Sequence, residues 1–454
     1  MTPSFNFSRR LTLQLLGSAA MLPLALPLAR AIAADTAGRV LILSDLHSAY
    51  EHSAHLLAAL RSEIQDHAVP HIIAINGDVF EAGNVVASRS AGRVDWALLE
   101  ALAGLAPTVL NIGNHEPDFS DDLAKVVEQA QALGITVVSN IVDSRSGAPY
   151  APATASLKLG DMAVNVVGIA TPALFTYPKP LRDSLTLPDP VEWASANLAE
   201  ALAADGLDLV LSHAGVVADR AILPLLPDGT LIVGGHDHLL LTHEEGRSRY
   251  VHTGSWSNVY TVAEIAADGA ITLSQTELSA NIAPDAELAA LIEAMLAEHL
   301  TAEERAAIGQ SETAMSLAET GRFVAATMAT GAGADVGFVG HTTLGTGLPQ
   351  GDVSQYGFNA IVRFDGKLML AEVSAQVLAE ILARANQDGA QTLEQRTGDF
   401  LYAAPTDLPA KQSYTIVTND WSATNQKSYF GREDLVFTPG PEVMLKALVT
   451  QALN

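Results

Sequence analysis

The chain of 454 residues has no cysteine, which excludes disulfide staples and thiolate chemistry and leaves His, Asp, Glu and Asn as the side chains able to hold a metal. Basic residues are also scarce. Twenty-five Lys and Arg stand against 51 Asp and Glu, a net charge of −26 that repels polyanions and excludes nucleic acid and anionic lipid as bulk partners. Charged residues make up only 17% of the chain and apolar residues 48%, too hydrophobic a balance for a disordered scaffold. Beyond the N-terminus, no run is long and apolar enough to span a bilayer.

The length fits two or three domains. Arg9 and Arg10 precede an apolar stretch at residues 11–28, and Ala31 and Ala33 are spaced as a signal peptidase requires. We expect an export signal over residues 1–33 and a periplasmic or secreted mature chain starting near Ala34. The paired arginines resemble a twin-arginine signal, with Thr12 where that pattern prefers Phe. Pro23 and Pro27 break the run, which argues against a retained anchor, so no stable membrane insertion is expected after cleavage. Removing this leader deletes three arginines and no acid, moving the net charge from −26 to −29.

Short β-branched and Leu-rich runs then alternate with Ala/Leu-rich amphipathic stretches, the pattern of an α/β layered domain. Six runs stand out, at residues 40–44, 72–76, 109–112, 207–211, 231–233 and 250–253. An Ala/Leu/Glu-rich pattern behind Pro284 predicts one long helix joining two domains. Runs at residues 335–339, 360–364, 368–373, 374–384 and 414–418 predict a second, smaller α/β domain.

Five of the apolar runs end in residues able to bind metal: Asp45 and His47, Asp78, Asn114 and His115, His213, then His236 and His238. Groups at the carboxyl ends of strands in open α/β sheets converge on one crevice, so residues nearly 200 positions apart can meet. Oxygens from Asp45, Asp78 and Asn114 with four imidazoles suit Zn²⁺, Mn²⁺ or Fe better than Ca²⁺ or Mg²⁺. Seven ligands exceed one tetrahedral site. Two divalent ions about 3.5 to 4 Å apart fit, with Asp78 as the shared carboxylate.

The elements Asp45-Leu46-His47, Gly77-Asp78, Gly113-Asn114-His115-Glu116, His213 and Gly235-His236-Asp237-His238, in that order, resemble the calcineurin-like metallophosphoesterases. With Pro117 and Asp118 following, the third element is similar to the 5′-nucleotidase branch. Its second-domain pattern extends the resemblance over residues 39–437, with Glu372 at an acidic position and Thr418-Asn419-Asp420 ahead of the base-stacking loop. The resemblance implies a layered β-sandwich flanked by helices plus a smaller α/β C-terminal domain. It divides the chain into a catalytic domain at residues 34–283, a linker helix at 284–308 and a substrate domain at 309–454. It also implies that Asp45, His47, Asp78 and His238 hold one ion, that Asp78, Asn114, His213 and His236 hold the other, and that His115 and Asp118 form a catalytic dyad.

Departures are concentrated in the second domain. Ser48 replaces a glycine in the first, but the family's Asn-x-Gly-Gly-x-Arg has become Gly340-His341-Thr342-Thr343-Leu344-Gly345, and Ala318 replaces another arginine. His341, Arg322, Arg363 and Lys427 are the candidates to replace the lost charge. Phe364 and Tyr429 match the base-stacking aromatics and are the expected substrate contacts. His52 and His55 read as a helix face, His252 as support behind the site, and Trp256 and Trp421 as packing. The expected function is an exported dinuclear phosphoesterase acting on small phosphate esters, nucleotides by default. The alternatives are a sulfur-ester hydrolase, since an exported branch of the family has that chemistry, and a metal- or ligand-binding protein without turnover.

Overall fold

Each apolar run ahead of a ligand forms a strand. In the computed structural model, which describes residues 36–279, 282–389 and 391–454, β1 (Thr36–Leu43), β2 (His71–Asn76) and β3 (Thr108–Asn111) run parallel within a six-stranded sheet. The leader expected at residues 1–33 lies outside the described residues. Val259–Ala266 and Ile271–Glu277 extend this sheet beside β1, and Thr136–Val138 closes it beside β3. A second six-stranded sheet places β4 (Leu207–Ser212), β5 (Leu231–Gly234) and β6 (Ser248–Thr253) in parallel, flanked by Leu240–Glu245 on one side and by Met162–Ile169 and Thr154–Leu159 on the other. Among the described residues no helix is long and apolar enough to cross a membrane.

Alternation along β1 explains the layering. Val40 and Ile42 join Ile72, Ala74 and Val109 of the first sheet with Leu209, Leu211, Leu231, Val233 and Val251 of the second in one buried cluster. Leu41 and Leu43 point the other way, into a cluster shared with Leu57, Leu60, Leu98 and Leu99 of helices Tyr50–Asp66 and Arg93–Leu105. Strands covered on both faces have no reason to alternate polar and apolar residues, and these do not.

The expected long helix is two. Ala286–His299 is capped by Asp285 and packs Leu288, Ile292 and Met295 against the helices of the first sheet. It stops where Thr301 and Glu304 form a capping box that starts a new helix, Ala302–Arg305. The later residues form a five-stranded sheet in the order Leu401–Ala404, Val336–Gly340, Ser413–Asn419, Lys367–Ser374, Thr438–Met444. Residues 360–364 form no sheet strand: Ser354 caps the helix Gln355–Ile361, and Val362 makes only an isolated bridge to Leu344. His341 donates its Nε2–H to the Asp237 carbonyl at 2.8 Å, and Arg220 Nη1 reaches the carbonyls of Leu393, Glu394 and Arg396 at 3.0 Å each.

Two asparagines tie the sandwich together at the carboxyl ends of its strands. Asn76 donates Nδ2–H to the carbonyls of Ser212 (2.9 Å) and Val233 (3.1 Å) across the sheets. Asn111 donates to Ile169 O, Leu211 O and Asn76 Oδ1, each at 3.0 Å. Both residues are fully buried. Asn76→Ala strands several of these groups away from water, at about 1 to 3 kcal/mol each. We expect it to lower unfolding stability by roughly 2 to 5 kcal/mol, read as a lower urea midpoint; a loss under about 1 kcal/mol would show that the sheets hold without this link.

Candidate metal centre

The ligand loops are built from conformations that side chains seldom adopt. Asp45 (φ 52°), His47 (50°), Asp78 (53°), His236 (76°) and His238 (53°) all lie in the left-handed region, where a non-glycine residue costs about 1 to 3 kcal/mol. Interlocking backbone bonds hold them there. Asp45 N–H donates to Gly77 O and His47 N–H to Asp78 O, both at 3.0 Å, and Gly235 N–H donates to Ser212 O at 2.9 Å. Gly113 passes so close that a Cβ would meet the Asp78 carboxylate and lie 2.9 Å from His213 Nε2. Glu116, part of the third motif but given no role by the sequence reading, accepts from Asp78 N (3.0 Å), Val79 N (2.9 Å) and Gly113 N (2.6 Å), fixing the second and third loops to each other.

All seven expected ligands converge at the carboxyl ends of β1 to β5. Donor atoms of Asp45, His47 and His238 lie within 4.8 Å of one another, as do those of Asp78, His213 and His236. His47 Nε2 is 2.8 Å from His238 Nε2, 3.9 Å from Asp45 Oδ1 and 4.0 Å from Asp78 Oδ2, so Asp78 borders both groups. Asn114 Oδ1 is 2.9 Å from His236 Nδ1. His213 donates Nδ1–H to Asn76 O at 2.6 Å, leaving its Nε2 buried and 3.1 Å from Asp78 Oδ2. Two ligands each about 2.1 Å from one ion and 90° to 110° apart are about 3.0 to 3.4 Å from each other, and the pairs His47–His238, Asn114–His236 and Asp78–His213, at 2.8, 2.9 and 3.1 Å, approach that spacing.

Electrostatics agree with that fit. Burial, with Arg363 nearby, holds the His47 imidazole down to about 4, burial and His213 hold His236 to about 3, and burial and His47 depress His238, so all three are neutral at pH 7 and can act as ligands. In His213 burial is outweighed by the Asp78 carboxylate, which raises it to about 10; that proton is the one a cation would displace. His115 lies beside the cluster, its ring centroid 5.1 Å from that of His47. Its Nδ1 donates to Asp118 Oδ2 at 2.8 Å, and Asp118, Asp78 and Glu81 together overcome burial and lift it to about 10. Asp118 is itself fixed by Ala82 N–H at 2.7 Å.

The expected substrate aromatics fare differently. Phe364 is 49% exposed, with the Arg363 guanidinium 4.8 Å from its ring centre. Tyr429 is only 5% exposed and is packed in the core of the last sheet with Phe338 and Phe430. Its helix, Gln426–Phe430, turns the ring inward, below Gly340. Of the four candidate cations, Arg322 pairs with Asp388, Lys427 with Glu433, and His341 is buried on the Asp237 carbonyl. Arg363 alone among these four lines the cleft beside His47 and Trp256.

Two residues of this wall were given no role at the centre by the sequence, Glu81 not at all and Trp256 only as packing. Glu81 pairs with Arg363 and lies 3.4 Å from His47 Nδ1. Trp256 stacks on His47 with ring centroids 4.9 Å apart, and its backbone N–H donates to Asp45 O at 2.8 Å. Pro-free, Gly-free positions such as these lack a spacing pattern, although Gly254-Ser255 ahead of Trp256 does mark the loop. His52 and His55 lie on the partly buried face of helix Tyr50–Asp66, and His252 is buried with Nε2 2.6 Å from Tyr250 Oη.

Residues 38–240 match the family model of calcineurin-like phosphoesterases. No curated protein of significant similarity was found. Among solved structures, a 5′-nucleotidase precursor of Thermus thermophilus is 18% identical with a TM-score of 0.60, over 91% of this chain and 96% of that one. The sulfate thiohydrolase SoxB of Thermus thermophilus is 16% identical with a TM-score of 0.62, covering 92% and 94%. The 5′-nucleotidase of Candida albicans is 12% identical with a TM-score of 0.58, covering 92% and 98%. At these identities the likeness is one of fold, that of two-domain 5′-nucleotidases across nearly the whole chain. With the candidate metal ligands gathered at the carboxyl ends of its strands, residues 38–240 form a calcineurin-like phosphoesterase domain, that of a metal-dependent phosphoester hydrolase.

Proposed function

We propose that the protein is an exported phosphoesterase that hydrolyses small phosphate esters at a centre of two divalent ions, Mn, Zn or Fe. The observation that carries this reading is the pair of donor groups that meet where Asp78 Oδ2 lies 4.0 Å from His47 Nε2, with the His115–Asp118 dyad beside them. Asp45, His47, Asp78 and His238 would hold one ion, and Asp78, Asn114, His213 and His236 the other; the ions would supply an activated water and neutralise charge at phosphorus. The division into residues 34–283 and 309–454, joined by 284–308, belongs to the same reading, as does the leader.

The remaining chemistry comes from the chain. Asp118 holds Nδ1–H of His115, so Nε2 of a protonated ring is the end free to donate to the leaving oxygen as the ester bond breaks. Imidazole donation of this kind contributes about 10²- to 10⁴-fold. Substrate choice follows from what the second half supplies. Phe364 remains as a single stacking ring, and Tyr429 is withdrawn. This favours an ester whose leaving group is small or loosely held over a base clamped between two rings, and it keeps open a second reading, a sulfur ester, which the name of the Thermus thermophilus thiohydrolase suggests.

Three measurements test the reading. Elemental analysis of purified protein should give two transition-metal ions per chain, and Asp78→Asn should lower the occupancy of both sites; active enzyme with one ion or none would refute the dinuclear centre. His115→Ala should lower kcat by roughly 10²-fold or more with metal content unchanged, whereas loss of an ion would make His115 a ligand. For AMP against a plain aryl phosphate, one aromatic contact of about 0.5 to 1.5 kcal/mol limits the advantage in kcat/KM to about tenfold. A preference above a hundredfold would reveal a base site that these residues do not form.

A further inference from the structure

The Glu81 carboxylate is buried and serves three neighbours. Its Oε1 accepts from Gly83 N–H at 2.8 Å, its Oε2 pairs with Arg363 Nη2, and the same Oε2 lies 3.4 Å from His47 Nδ1. Its own backbone N–H donates to Ser48 Oγ at 3.0 Å, tying it to the loop that carries His47. Arg363 is fixed in turn: its backbone N–H donates to Thr343 O at 2.8 Å, Nη1 donates to Thr342 O at 3.1 Å, and Cζ lies 4.7 Å from the Trp256 ring centre. A histidine whose Nε2 faces a cation must carry its proton on Nδ1, and such a proton is ordinarily received by a carboxylate, carbonyl or water. His47 Nδ1 is buried and makes no hydrogen bond among the described residues, and the Glu81 carboxylate, 3.4 Å away, is the acceptor that faces it.

We propose that Glu81 is a positioning residue of the metal centre: its carboxylate receives Nδ1–H of His47, fixing the tautomer whose Nε2 faces Asp45 and His238, while Arg363 from the C-terminal half keeps that carboxylate in place. The inference rests on reading His47 as a ligand. It makes an arginine outside the catalytic half a contributor to metal affinity, with two residues, Glu81 and His47, between it and the ion. Donor atoms of His47, Glu81 and His115 also fall within 4.8 Å of one another, so a third ion is geometrically conceivable. That arrangement would need His47 to bridge two ions through both nitrogens and His115 to give up its Nε2 proton, and the positioning role needs neither.

The test is competitive titration of the metal-stripped full chain with Mn²⁺, together with ¹⁵N-histidine spectra of the Zn²⁺-loaded protein, in which the His47 Nδ1–H signal is assigned by its absence in His47→Ala. Wild type should bind two ions. Glu81→Ala should weaken one of them by roughly 10- to 100-fold, leave the other within about threefold, and abolish or shift the Nδ1–H signal. Glu81→Gln keeps an acceptor but loses the charge and should fall between, at about three- to tenfold; Arg363→Met should weaken the same ion in the same range. Urea midpoints of the apo forms identify a variant that fails to fold, in which case the Gln and Met variants decide. Unchanged affinity and an unchanged Nδ1–H signal in the folded variants would overturn the inference while leaving the dinuclear reading intact. A third ion present in wild type and absent in Glu81→Ala would make Glu81 a ligand and also overturn it. A wild type that binds no ion would overturn both.

Discussion

The carboxamides of Asn76 and Asn111 hold in place everything that happens at the metal centre. Each sheet alone would present its ligand loops on a separate edge. By donating to carbonyls of the opposite sheet, the two amides bring the ends of β2, β3, β4 and β5 to a fixed separation. The Asn76 carbonyl then orients His213, and the next residue, Gly77, begins the turn that presents Asp78. Position is thus set in the protein interior, where nothing competes for these hydrogen bonds, and is passed outward to the ligands one bond at a time.

A second constraint is charge. Two aspartates, two glutamates and five histidines are crowded into a buried volume, an arrangement that desolvation strongly opposes unless opposite charge enters it. Part of that charge comes from the chain, as protons on His213 and His115 and as the Arg363 guanidinium. The left-handed ligand residues add backbone strain to the same region. A fold that concentrates both kinds of unfavourable energy in one place is suited to cations that carry more charge than a proton. The acidic surface outside serves a separate end, keeping large polyanions at a distance.

Most of the centre was legible in the sequence because its signals are local. An apolar run followed by Asp-x-His, Gly-Asp or Gly-Asn-His states a strand, a tight turn and a ligand within a few residues, and the sheet topology does the rest. The roles of Glu116, Glu81 and Trp256 gave no such signal, since they depend on residues brought in from other loops: Asp78 and Val79 for Glu116, Arg363 for Glu81 and His47 for Trp256. Asn76 and Asn111 read only as the polar ends of apolar runs. The second half was harder to read because its pattern had changed. Tyr429 occupies the position of a stacking ring, yet five residues of helix direct it inward, and only packing against Phe338 and Phe430 reveals this. The break at Thr301 was written as Thr-x-x-Glu, a local signal that the Ala/Leu/Glu periodicity on either side obscured.

The bond from His341 to the Asp237 carbonyl joins the C-terminal half to the loop between two imidazoles of the centre. Two-domain enzymes are often treated as interchangeable parts, one carrying chemistry and the other choice of substrate. Here such recombination is obstructed. A C-terminal half that lacked His341 would leave the loop of His236 and His238 without this support. Each half is therefore a condition for altering the other: a change at position 341 reaches the loop that carries two imidazoles of the candidate centre.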